Sequence, residues 1–126
     1  MSEEYEAIGV HALINGQFYD SEGNKATNYE WLNDPTRLEH MISRHLVEAG
    51  AGILNAYAHQ FEPQGVTITW ALSESHASIH TYPERGAFFL DIFTCGLTIE
   101  PGKAAILIAE EMGCSFQEQT SIRRPI

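Results

Sequence analysis

Residues Ser73–Thr81 read Ser-Glu-Ser-His-Ala-Ser-Ile-His-Thr: three serines, a threonine, two histidines and a glutamate in nine positions. Hydroxyls of this kind can attack a carbonyl, and imidazoles move protons near neutral pH. The plain alternative is a polar hairpin or sheet edge whose hydroxyls bond the local backbone. A serine hydrolase is disfavoured, because G-x-S-x-G is absent. No glycine-rich phosphate loop is present. Cys95 is either a thiol nucleophile or inert packing. No metal is expected from histidine spacing. His40 and His45 sit roughly 140° apart around a helix. His76 and His80 lie roughly 13 Å apart on a strand. H-E-x-x-H does not occur.

These residues need elements to hold them. Ala7–Phe18 reads as a strand with Val10, Ala12 and Ile14 on one face, and 19–30 as a polar loop. Asp34-Pro35 opens a helix carrying Leu38, Met41, Ile42, His45, Leu46 and Ala49, with Gly50 as its stop. Ile53–Phe61 is a strand, and Pro63-Gln64-Gly65 a turn. Val66, Ile68, Trp70 and Leu72 face one side of the next strand. Thr67, Thr69, Ala71, Ser73 and, if that strand stays straight, Ser75 face the other. A short strand spans His76–Thr81. Gly86–Cys95 is a strongly apolar strand with Asp91 inside it. Glu100-Pro101-Gly102 opens a second helix with Ala105, Ile108, Ala109 and Met112 on one face, ended by Gly113. Cys114–Ile122 is the last strand.

The order β-α-β-β-β-β-α-β, with short turns, predicts an α+β fold: a mainly antiparallel sheet with helices on one face, a two-layer α/β sandwich. Apolar residues on both faces of the 86–95 strand favour a second copy against the other sheet face, so a homodimer is expected.

The 126 residues make one domain, 1–126, able to bury a core without staples. A net charge of −10 repels phosphate backbones, so nucleic acid is not an expected partner; a cationic small molecule would be attracted, with acidity for solubility alone the ordinary alternative. Apolar runs are too short for a membrane span. The start MSEEYEA has no basic segment, which argues against a secretory signal and for a cytoplasmic protein with Cys95 and Cys114 reduced.

Residues 72–96, LSESHASIHTYPERGAFFLDIFTCG, closely resemble the signature of the prokaryotic S-adenosylmethionine decarboxylase proenzymes: an E-S-H-x-S-I-H-T-W-P-E core followed by D-[IV]-F-T-C-G. Phe61–Val66 is similar to the family's F-x-P-Q-G-V turn, and Gly9-x-His11 to its G-[RK]-H strand. The likeness covers most of residues 5–126. Four features depart from it: Tyr82 for Trp, Ser73 for a small Ala, Val10 for a basic residue, and a longer, more polar 19–33 segment.

The resemblance implies a decarboxylase that makes its own pyruvoyl group rather than borrowing a cofactor. Ser75 would attack the Glu74 carbonyl, and the chain would part into 1–74 (β chain) and 75–126 (pyruvoyl α chain). The substrate amine would join the Ser75-derived pyruvoyl as a Schiff base. The resemblance assigns His80 to proton transfer in processing and Thr67 to a processing hydroxyl. Cys95 becomes the proton donor in decarboxylation, and must therefore carry its proton. Phe61 matches the adenine-stacking aromatic, with core packing its ordinary alternative. Glu84 matches an acidic pocket residue on the ribose, with a solvated turn its ordinary alternative. The product, decarboxylated S-adenosylmethionine, is the aminopropyl donor for spermidine synthesis. A pyruvoyl-dependent decarboxylase of arginine or ornithine is the alternative, since Tyr82 and the 19–33 segment change the pocket's surroundings. An unprocessed binding homologue is the third reading, opposed by the intact Glu74, Ser75 and His80.

Overall fold

The computed structural model describes residues 7–95 and 99–125; Gly96 of the TCG motif and the MSEEYE start lie outside the described residues. Six strands form one antiparallel sheet: β1 (Ala7–Gln17), β2 (Ile53–Gln60), β3 (Val66–Leu72), β4 (Ser75–Tyr82), β5 (Ala87–Cys95) and β6 (Phe116–Pro125). Their spatial order is β2-β3-β4-β5-β1-β6. Three helices accompany them: α1 (Tyr29–Leu32), α2 (Pro35–Glu48) and α3 (Pro101–Met112). None of the helices is long and apolar enough to cross a membrane.

Alternation along the strands divides the sheet into two unlike faces. Ile14 of β1, Ile68 and Trp70 of β3, Ala77 and Ile79 of β4, and Phe88, Leu90 and Ile92 of β5 point to one side and are buried. Leu38, Ile42 and Leu46 of α2 and Ala105, Ile108 and Ala109 of α3 cover them. The Trp70 indole N–H donates to Ser43 Oγ at 2.9 Å, fastening α2 to the sheet. Burial of this face is the main stabilising term, at about 25 cal/mol per Å² of apolar surface. Among the described residues the opposite face carries no helix. It presents Tyr57, Tyr82, Phe89 and Ile122, all more than a third exposed.

The helix ends follow their sequence signals. Asp34 caps α2, accepting from the Arg37 N–H at 3.0 Å, with Pro35 at the first helical position. Gly113, at φ 72, closes α3. Glu111 joins the two helices, accepting from Arg44 at 2.6 Å and facing His45 Nε2 at 2.7 Å. Arg44, then His45, hold the Glu111 carboxyl below its usual range. This small surface contribution is present at neutral pH and fades as pH falls through that lowered value.

Three expectations need correction. The 19–30 loop gives way to α1 at Tyr29. That turn is held by tertiary bonds rather than propensity: buried Thr81 Oγ1 donates to Leu32 O at 2.7 Å and accepts from Val66 N at 2.8 Å. Asn33 Oδ1 likewise accepts from Gly65 N at 2.9 Å. Ser75 does not prolong β3; the chain turns at Ser73-Glu74, and Leu72 pairs with Ser75. Last, β6 runs past Ile122 to Pro125 because it follows β1 along its length.

Candidate active site

The Ser73-Glu74 turn reverses the chain between β3 and β4. Glu74 adopts φ 59, a left-handed conformation that costs an L-residue with a side chain roughly 1–2 kcal/mol. The peptide bond that follows it is Glu74–Ser75. Ser75 Oγ accepts from the Cys95 backbone N–H at 3.1 Å, because β5 runs beside β4 and its last residue comes level with the turn. A hydroxyl, a thiol-bearing residue and a strained peptide therefore meet at one end of the sheet.

Cys114, the other thiol, packs against the core after α3, and burial pushes it up from its ordinary pKa. It has the environment of a structural cysteine.

Thr67 and His80 form a second pair. They are cross-strand partners on β3 and β4, with Thr67 Oγ1 and His80 Nδ1 3.0 Å apart on the helix-free face. His80 is five residues along β4 from Ser75, roughly 16 Å at the rise of a strand. That is far beyond the ~3 Å over which a general base works.

Phe61 and Glu84 belong to the Thr67–His80 end. Phe61 follows β2, is half exposed, and meets the His59 ring edge-on at 4.6 Å. Its N–H donates to Gly65 O at 2.8 Å, closing the turn. A side chain at Gly65 would meet the Thr81 carbonyl oxygen at 3.4 Å. Glu84 is exposed in the 3-10 turn Pro83–Arg85 that follows β4. One chain thus brings Ser75 to Cys95 and Thr67 to His80, and keeps the two pairs apart.

Sequence reasoning missed one convergence. His11 of β1, Asp91 of β5 and His76 of β4 meet on the helix-free face near Ser75. His11 Nε2 lies 2.7 Å from Asp91 Oδ2, and His76 Nε2 lies 3.6 Å from the same oxygen. Ser78 donates to the other oxygen of Asp91. The spacing of histidines along the chain could not reveal this, since His11 and Asp91 are eighty residues apart. A carboxylate inside the apolar run FFLDIF was the available signal.

The comparisons with known proteins agree on one family. A family model described as S-adenosylmethionine decarboxylase matches residues 22–125. The S-adenosylmethionine decarboxylase proenzyme of Carboxydothermus hydrogenoformans is 40% identical over 98 residues, 78% of this chain and 77% of that one. The proenzyme of the same name from Prochlorococcus marinus is 40% identical over 119 residues, 90% of this chain and 89% of that one. The crystal structure of an adenosylmethionine decarboxylase from Aquifex aeolicus shares the fold, with a TM-score of 0.81 at 21% identity, covering 96% and 93% of the two chains. Arginine and ornithine find no support among these relatives.

Proposed function

The chain belongs to the S-adenosylmethionine decarboxylase family, and we infer that it decarboxylates S-adenosylmethionine after cutting itself between Glu74 and Ser75. The observation that carries the self-cleavage is the contact of Ser75 Oγ with the Cys95 N–H, next to a glutamate held at φ 59. The hydroxyl belongs to the residue whose nitrogen carries the Glu74 acyl group, so its attack on that carbonyl closes a five-membered ring, and relief of the turn's strain favours the acyl shift.

The proposed processing balances as follows. Ser75 Oγ bonds to the Glu74 carbonyl carbon as the C–N bond breaks, giving an ester and a free amine on residue 75. Removal of the Ser75 α-proton expels the Glu74 carboxylate, leaving dehydroalanine. Its enamine tautomerises and takes up water, losing ammonia, so residue 75 becomes pyruvoyl. The products are 1–74 and 75–126.

The site suits that group: the Ser75 side chain stands beside Cys95, at the strand end where a proton donor is needed. Once formed, the pyruvoyl carbonyl supplies the sink for the electron pair that leaving CO2 releases. Cys95 delivers the proton to the substrate α-carbon. Phe61 stacks on adenine, and Glu84 engages the ribose hydroxyls. The net charge of −10 favours approach of a sulfonium cation.

A second copy completes the reading. Two sandwiches packed by their helix-free faces, related by a two-fold axis lying between the two sheets and across the strands, set one chain's Ser75–Cys95 end over the other's Thr67–His80 end. Such a dimer covers Tyr57, Tyr82 and Phe89 and closes the roughly 16 Å gap within each chain. His80 then moves the processing proton, and the Thr67 hydroxyl polarises the Glu74 carbonyl, both across the interface.

Complementation tests this division. His80→Ala alone is expected to cleave very slowly, and Ser75→Ala not at all. Co-expressed, they form mixed dimers in which the His80→Ala chain faces an intact His80, so cleavage of that chain should return. Failure of the mixed dimer to cleave would place both groups in one chain and remove the shared site.

Substrate is tested with carboxyl-labelled S-adenosylmethionine, arginine and ornithine, measuring CO2. Only the first should react; turnover of either free amino acid in its place would overturn the reading. Base stacking is worth about 1–3 kcal/mol, so Phe61→Ala should raise KM for S-adenosylmethionine roughly 5–150-fold with cleavage intact. Glu84→Gln should raise KM in the same direction. An unchanged KM in a fully cleaved Phe61→Ala enzyme would return Phe61 to ordinary packing.

A further inference from the structure

We propose that His11, His76 and Asp91 form a binding site for a first-row divalent transition metal ion, with Ser78 orienting the carboxylate. Three strands contribute one ligand each, and the three ligand atoms all lie within 4.8 Å of one another. In a tetrahedral site with metal–ligand bonds near 2.0–2.1 Å, ligand atoms stand roughly 3.4 Å apart. The observed separations to Asp91 Oδ2, 2.7 Å from His11 and 3.6 Å from His76, bracket that value. Small ring movements open the cluster around an ion.

The surroundings fit a ligand set. Both imidazoles present Nε2 to one carboxylate oxygen. Ser78 Oγ takes the other, which is how ligating carboxylates are commonly held in place. Phe93 walls the cluster, its ring centroid 5.8 Å from that of His11 and 5.6 Å from that of His76. Arg124, the nearby cation, lies over the Phe93 ring at 5.5 Å. Within a single chain His76 is half exposed and Asp91 is not sealed off, so an ion can enter from the helix-free face before a second copy covers it.

Two imidazoles and a carboxylate select zinc, cobalt or nickel over magnesium or calcium, which prefer all-oxygen sites. Three protein ligands leave a fourth position for water or a small anionic group. Because His76 follows Ser75 directly, such an ion would sit close to the cleavage point and tie β1, β4 and β5 together.

Cobalt(II) is the probe. The purified protein, stripped with EDTA, is titrated with cobalt chloride and followed by visible absorption. One equivalent per chain should bind, with d–d bands of tetrahedral intensity. Ser78→Ala should weaken binding about 10–100-fold, the usual loss when a group holding a ligand is removed. His76→Ala and Asp91→Asn should weaken it more. His45→Ala, which removes a histidine beside Glu111, should leave it unchanged. His76 is half exposed, so its replacement tests the site without disturbing the core. Absence of saturable binding, or binding that survives either His76→Ala or Asp91→Asn, overturns the proposal.

Discussion

Ser75→Ala is expected to stay in one piece and release no CO2 from S-adenosylmethionine. Alanine keeps the backbone and removes the one atom that can make the ester, so nothing downstream can follow. The fold should survive. Ser75 is only partly buried, and its side chain accepts a hydrogen bond from the Cys95 N–H at 3.1 Å. Loss of that bond is worth about 1 kcal/mol. Circular dichroism and a urea unfolding curve close to wild type would show that the loss is chemical. A Ser75→Ala chain that still parts at position 74 would mean that another nucleophile does the cutting.

The second large effect separates processing from turnover. Cys95→Ala should cleave at least partly, because its proposed role comes after the pyruvoyl group exists and its backbone N–H remains to hold Ser75. Decarboxylation should then drop about 10²–10⁴-fold, the usual consequence of losing a general acid. Fragments are quantified first, so that kcat is referred to processed enzyme. Cys114→Ala is the control. Its thiol is packed against the core and its pKa is raised by burial, so turnover per folded molecule should not change. Normal kcat in processed Cys95→Ala enzyme would remove Cys95 from the mechanism.

The antiparallel sheet with covering helices was legible where local chemistry and tertiary packing agree. The alternation Val66, Ile68, Trp70, Leu72 needs only a pleated strand with one buried face, and all four residues are buried. Asp34 and Gly113 end their helices through local backbone geometry, which a sequence carries openly. Where the two disagree, the reading failed. The four-residue α1 has too few internal hydrogen bonds to declare itself and depends on Thr81, far along the chain. The Ser73-Glu74 turn was legible as a polar junction between two strands, but its left-handed glutamate was not, since turn chemistry would look for glycine or asparagine there.

The site divides in the same way. Ser75, Cys95, Thr67 and His80 were named through a family likeness, which identifies residues but not distances. Their separation into two pairs was nonetheless implicit in the strand, since five residues of β4 span roughly 16 Å. The His11–Asp91–His76 cluster was not implicit. It depends on β5 lying between β4 and β1, a neighbour relation fixed only when the sheet closes.

The central claim, that the chain makes its own prosthetic group at Ser75, is tested most directly by the intact mass of the purified protein. Two polypeptides are expected, one ending at Glu74 and one beginning at residue 75. The second should be one ammonia lighter than the same peptide with serine at its start, and Edman chemistry should find no free amine on it. A single uncut chain that still released CO2 from S-adenosylmethionine would contradict the account.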